Sequence, residues 1–210
     1  RNTVFGYGAL GADTLGSRNV AVGFGTLQNQ NFTTATDSYN IAIGYDAGSS
    51  VTTGANNTLV GGLAGDALTT GIENVVMGRN ALTADTKGQQ SVAIGNGALQ
   101  AQNFTTASNA NNTAVGYIAG SSITTGLQNT IVGSHAGDFL SDADFNTAVG
   151  YGALSSDALG SRSTALGYYA LLQQNFTTAT DTYNTAVGYG AGQNIGTGKF
   201  QTLIGGLAGD

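Results

Sequence analysis

A short alternation of polar and apolar residues returns at fixed intervals along the chain. It heads a nine-residue phrase of the form N-T-A-V-G-Y-x-A-L/G, complete in Asn146–Leu154 but for Gly152 at the variable position, and the phrase occurs twelve times. Its second, third and fourth residues alternate as in a strand whose successive side chains point to opposite faces. Position four is large and apolar in every copy, from Phe5 and Val22 through Ile94 and Val149 to Ile204. This stripe is expected to point into the core. Parity then places position two, a Thr or a β-branched aliphatic, inside with it. Position three, mostly Ala, faces outward on this reading, and a face of small residues suits close approach of a second surface.

The phrase glycines are spaced 17, 21, 17 and 17 residues apart, giving a 72-residue super-repeat over 1–72, 73–144 and an incomplete 145–210. Position nine runs Leu, Leu, Gly, Gly through each super-repeat, and Gln-Asn-Phe-Thr-Thr-Ala returns at residues 30–35, 102–107 and 174–179, always in the 21-residue unit. A second glycine commonly follows ten residues after the first, as at Gly16, Gly54 and Gly126. Two glycine turns per unit predict two short strands per coil. One such coil is too thin to bury its own apolar edge, but twelve stacked coils share a continuous narrow core. The spacing therefore predicts an all-β fold, a parallel β-solenoid of 12 coils with 17/21/17/17-residue spacing, residues 1–210 being one array. The four extra residues of the 21-residue units predict one bulge every four coils. Because the third super-repeat is incomplete, the array is expected to be a fragment of a longer fibre.

Composition supports this and narrows the function. Glycine accounts for 34 of 210 residues, there is no Pro, Cys or Trp, and 9% of residues are charged. Glycine is costly inside regular elements, which disfavours a helical repeat. A net charge of −6 with six basic residues spread along the chain offers nucleic acid no basic face. No apolar run approaches the length of a membrane helix, so no membrane insertion is expected in this segment.

Gln90-Ser91-Val92-Ala93-Ile94-Gly95 resembles the N-S-V-A-I-G phrase of trimeric autotransporter adhesin heads of the YadA-like family. Units such as Asn184-Thr185-Ala186-Val187-Gly188-Tyr189 are similar to the N-T-A-V-G-Y arrays of phage tail fibres and related bacterial surface fibres. The resemblance covers the whole chain, although the adhesin heads use a shorter coil. It implies a left-handed β-roll packed as a homotrimer, located extracellularly, on a cell surface or on a virion. By analogy Val92 and Ile94 form the inward pair and Ala93 meets a neighbouring chain. The candidate trimer-interface positions are thus Ala21, Ala42, Ala93, Ala114, Ala148, Ala165 and Ala186. The expected role is a non-enzymatic structural or adhesive fibre segment, a stiff shaft or head for attachment, with a cell-surface glycan or protein receptor as a possible partner.

Loops on rigid scaffolds carry recognition, so the candidate partner-contact residues are Asn31, Phe32 and Thr33, Asn103, Phe104 and Thr105, and Asn175, Phe176 and Thr177. These segments are also N-x-T sequons. The Tyr and Phe residues at position six are expected to form a packing ladder, with sugar or protein contact as the sharper alternative. Gly6-Tyr7-Gly8-Ala9-Leu10-Gly11 fits G-x-G-x-x-G, but no helical pattern follows, so no nucleotide cofactor is expected. Gly61–Asp66 and Asp142–Asn146 only partly match calcium loops. Eight of the twelve acids recur in register, including Asp13, Asp85 and Asp157, which reads as solvated corners. Glu73 is the only Glu and His135 the only His, so neither a metal cluster nor a catalytic triad can be assembled, and no cofactor or metal is expected. The alternative function is a monomeric ice-binding solenoid, since position two is Thr in eight of the twelve units. The predicted parity opposes it, because the Thr ladder would lie inside.

Overall fold

Each phrase forms a three-residue strand, and each strand pairs in parallel with its equivalent one coil away. Thr147 lies between Thr130 and Thr164, Ala148 between Ile131 and Ala165, and Val149 between Val132 and Leu166. Twelve such strands, from Thr3–Phe5 to Thr202–Ile204, make one continuous parallel sheet. The computed structural model describes residues 1–210 and is an all-β parallel solenoid of twelve coils without a helix.

A second strand per coil forms only beside the 21-residue units. Gly16–Ser17 pairs with Thr36–Asp37, Gly88–Gln89 with Ser108–Asn109, and Gly160–Ser161 with Thr180–Asp181. Elsewhere the second glycine marks a turn that hydrogen-bonds to the next coil without becoming a strand; both Thr52 and Gly54 donate to the Thr69 carbonyl. Other corners are sharp because non-glycine residues take left-handed conformations in file, as at Leu99 (φ 49°), His135 (φ 58°) and Phe145 (φ 61°). The phrase glycine cannot be replaced in this way. Gly61 has φ +135°, and a methyl group on it would lie 2.6 Å from the carbonyl oxygen of Gly78.

The predicted parity is reversed. Position three is the inward one: Ala21, Ala42, Ala93, Ala114, Ala148, Ala165 and Ala186 are all fully buried within a single chain and cannot form the outward interface expected of them. Positions two and four face out and are half-buried or exposed, Met77 by 42% and Leu166 by 44%. The coil is thin, so position three shares its interior space with the opposite wall; it is mostly Ala, with Leu59, Val76 and Ile131 also fully buried there.

Interior volume is shared between positions three, nine and twelve. Where position three is Ala148, position nine is the buried Leu154. Where position three is Ile131, position nine is Gly137, and a Cβ there would sit 3.0 Å from Ile131 and 2.9 Å from Leu140 at position twelve. The Leu, Leu, Gly, Gly rhythm is thus a packing code, since interiors tolerate neither voids nor excess volume. In the two Leu units position twelve is Asp or Gln, and apart from the half-buried Asp13 these polar residues are buried as well. Asp85 accepts from the N–H of Gly88 at 2.9 Å, the N–H of Phe104 at 3.0 Å and the Gln102 side chain at 2.6 Å. Gln102 in turn accepts from Asn112 at 2.9 Å. Asp85 and Asp157 are therefore not solvated corners but buried, fully bonded carboxylates, whereas Asp37 and Asp181 are exposed.

Candidate interaction surface

The outward face of the twelve-stranded sheet is the largest regular feature of the molecule. Its two central files are position two, from Thr3 to Thr202, and position four, from Phe5 to Ile204. From Thr113 to Thr202 position two is Thr in six consecutive coils, while Val20, Ile41, Val75 and Val92 make the earlier coils more apolar. Neither file carries a charge. The face is about 53 Å long at ~4.8 Å per strand, and every strand is in register with the next.

Two margins flank these files. One is the residue preceding each phrase, exposed in every coil, among them Arg18, Tyr39, Glu73, Phe145, Arg162 and Tyr183. Arg18 lies 2.8 Å from Asp37 and over the ring of Tyr39, and Asp37 holds its guanidinium above the ordinary range. Arg162 lies 3.0 Å from Asp181 and over the rings of Phe145 and Tyr183. The other margin is position six. There Tyr7, Phe24 and Tyr45 form one stack with centroids 5.6 and 5.4 Å apart, and Tyr151, Tyr168 and Tyr189 form another at 5.5 and 5.2 Å. The expected aromatic ladder is present. Within each stack the rings lie face to face, while those at the ends stay open to solvent, Tyr7 by 82%.

No protein-family model, curated protein or solved structure matches this chain.

The bulge segments divide in two. Asn31, Thr33, Asn103, Thr105, Asn175 and Thr177 are exposed, but Phe32, Phe104 and Phe176 are buried and cannot serve as contact residues. Each Phe anchors its bulge; the N–H groups of Phe104 and Phe176 donate to Asp85 and Asp157. The bulges lie four coils apart, and nothing gathers the three into one site.

No enclosed pocket opens on the surface, and no three His, Asp or Glu side chains converge as metal ligands do. His135 Nδ1 lies 3.2 Å from Asp138 Oδ2, between the rings of Tyr117 and Tyr151. Burial pushes the Asp138 carboxyl above the usual range, against the opposing pull of His135, and its Oδ1 has no hydrogen-bond partner. Asp142 moves the other way, lowered by the hydroxyls of Thr124 and Thr125.

One internal feature went unread in the sequence. The Asn that opens most phrases is buried and forms a ladder: Asn57 donates to the Gly71 carbonyl at 2.9 Å and accepts from the Asn74 N–H at 3.0 Å. The signal available was the recurrence of one polar residue at a fixed place beside a strand, where solvent exposure alone gives no reason for its identity.

Proposed function

We propose that the chain is a non-enzymatic structural and adhesive fibre segment whose copies pack side by side, as a homotrimer, through the outward face of the twelve-stranded sheet. The observation that carries this reading is the face itself: two uncharged files, mostly of Thr, Val and Ile, along twelve coils, half-buried or exposed in one chain. Across six residues from margin to margin the face is at most about 20 Å wide, so with a length of ~53 Å it offers up to roughly 1,000 Å². That is of the size of the ~800 Å² per partner of an ordinary stable interface. Three such faces closing into a triangle put each backbone roughly 6 Å from the axis, within reach of Val, Ile and Thr side chains. Four would leave an empty channel, and two faces would be propped apart by the bulky margins. The buried ladders stiffen the shaft, and the bulges every four coils remain outside, free to meet a cell-surface glycan or protein. By the resemblance of its phrases to fibre repeats, the segment belongs at a cell surface or on a virion.

The outward position of six consecutive Thr residues, Thr113 to Thr202, favours one second reading, an ice-binding monomer. Light scattering behind a sizing column separates the two. A mass near three times the 21.0 kDa chain, with early elution, is the result expected of the fibre. A monomer that also inhibits ice recrystallisation would replace the fibre with the second reading.

A further inference from the structure

In several coils the two margins of the face carry related residues, although Asn56 shares its coil with Gly62 and Phe200 with Gly206. The residue preceding a phrase and the position-six residue of that phrase lie at the same level at the two ends of a three-residue strand, at most about 20 Å apart. Glu73 shares a coil with Arg79, and both are exposed. Glu73 is bonded to neutral Gln90, at 2.9 Å, and Arg79 has no carboxylate within ion-pair distance; the three ion pairs of the molecule lie elsewhere. One coil on, Gln90 shares a level with Asn96, polar with polar. In the third super-repeat Arg162 shares a level with Tyr168, and Tyr183 with Tyr189.

We infer that the chains associate in parallel and in register around a common axis, the edge carrying Glu73 of one copy lying against the edge carrying Arg79 of the next. This rests on the proposed self-association through the same face, and specifies how it is made. The inference follows from symmetry. In a closed ring of parallel chains, every leading edge meets the trailing edge of a neighbour at the same level. Each coil then brings together its own two margin residues from different copies: acid with base at Glu73 and Arg79, amide with amide at Gln90 and Asn96, cation and ring at Arg162 and Tyr168. An antiparallel two-fold pair would instead place like edge against like edge with the levels reversed, leaving Glu73 and Arg79 unpaired. A slip of one super-repeat would preserve the Leu, Leu, Gly, Gly rhythm, but would set Glu73 against Tyr151 and Arg1 against Arg79. The central files are nearly uniform and cannot detect such a slip. The margins can, and a like-charge contact is the usual device against wrong pairings.

The chain has no cysteine, which makes the test clean. The variant Glu73→Cys/Arg79→Cys, treated with a short bismaleimide, is expected to give covalent dimers and trimers on a denaturing gel, while Glu73→Cys alone gives none. A link closed within one chain runs as a monomer on the gel and is not counted. Glu73→Arg is expected to weaken assembly about tenfold or more, and Glu73→Arg/Arg79→Glu to restore it, because the swap recreates the pair with its signs exchanged. Light scattering on the parent chain is read first. A monomer overturns the self-association and this pairing with it. An intact oligomer that fails to crosslink, or that crosslinks through position 73 alone, overturns the pairing only.

Discussion

Asp85 and Gln102, one coil apart and both fully buried, share a 2.6 Å hydrogen bond in which the amide donates to the carboxylate. The arrangement returns four coils later, where Gln174 donates to Asp157. The carboxylate also receives backbone N–H groups that have no alternative partner inside the coil. Asp85→Leu removes the acceptor and strands those donors together with the Gln102 amide. Leaving a buried donor unsatisfied costs about 1–3 kcal/mol, and here several are stranded at once. Asp85→Asn keeps one acceptor oxygen and is expected to lose less. Urea unfolding midpoints of the two variants check the order, and a Leu variant as stable as the parent would contradict it.

Gly61 and Gly62 are adjacent, yet their tolerances differ. A side chain on Gly61 meets the Gly78 backbone in the coil above, at φ +135°, whereas a Cβ on Gly62 has nothing within 4 Å. Gly61→Ala is expected to break the stack locally and to lower the melting temperature sharply. Gly62→Ala is expected to act like a surface substitution, changing stability by no more than about 0.5 kcal/mol. Thermal unfolding followed by circular dichroism distinguishes them.

The repeat was legible because a solenoid writes each coil into the chain in the same words. Coil number, parallel pairing and the bulge of the 21-residue unit all follow from spacing. Orientation was harder, since a three-residue strand has only two faces and hydrophobicity selected the wrong one. Val149 is more apolar than Ala148, and in a thick domain it would lie inside. In a coil this narrow the interior volume is divided among positions three, nine and twelve, and the relevant clue was the exchange between Leu154 and Gly137 at position nine. The same inversion moved the candidate contact surface from Ala148 to Thr147 and Val149. Phe104 misled in the opposite sense: its place in a bulge suggested exposure, but its N–H and side chain turn inward beside Asp85.

Asp138 links stability to pH. Its carboxyl is raised in the folded chain, chiefly by burial, so the fold favours its protonated form. Below the unfolded value, near pH 4, both states bind the proton and no penalty arises. As pH rises from there through the folded value, the unfolded chain releases its proton more readily and stability falls. Asp138→Asn removes that phase. Urea midpoints between roughly pH 3.5 and 7 should therefore decline in the parent relative to the variant. Parallel curves would show that Asp138 carries no such linkage.

Ala148 and Val149 separate folding from assembly. Ala148 is fully buried between Ile131 and Ala165, so Ala148→Asp places an unpaired carboxylate in the core. Such a charge costs several kcal/mol and is expected to reduce soluble, folded protein. Val149 faces outward between Val132 and Leu166, and Val149→Asp leaves the coil intact. In the proposed trimer, however, three such carboxylates would crowd around one axis at a single level. The variant is expected to keep the parent's circular dichroism spectrum and to run as a monomer by light scattering. If Val149→Asp stays fully oligomeric while folded, the outward face is not where the chains meet, and the bulges at Asn31, Asn103 and Asn175 become the next surface to test.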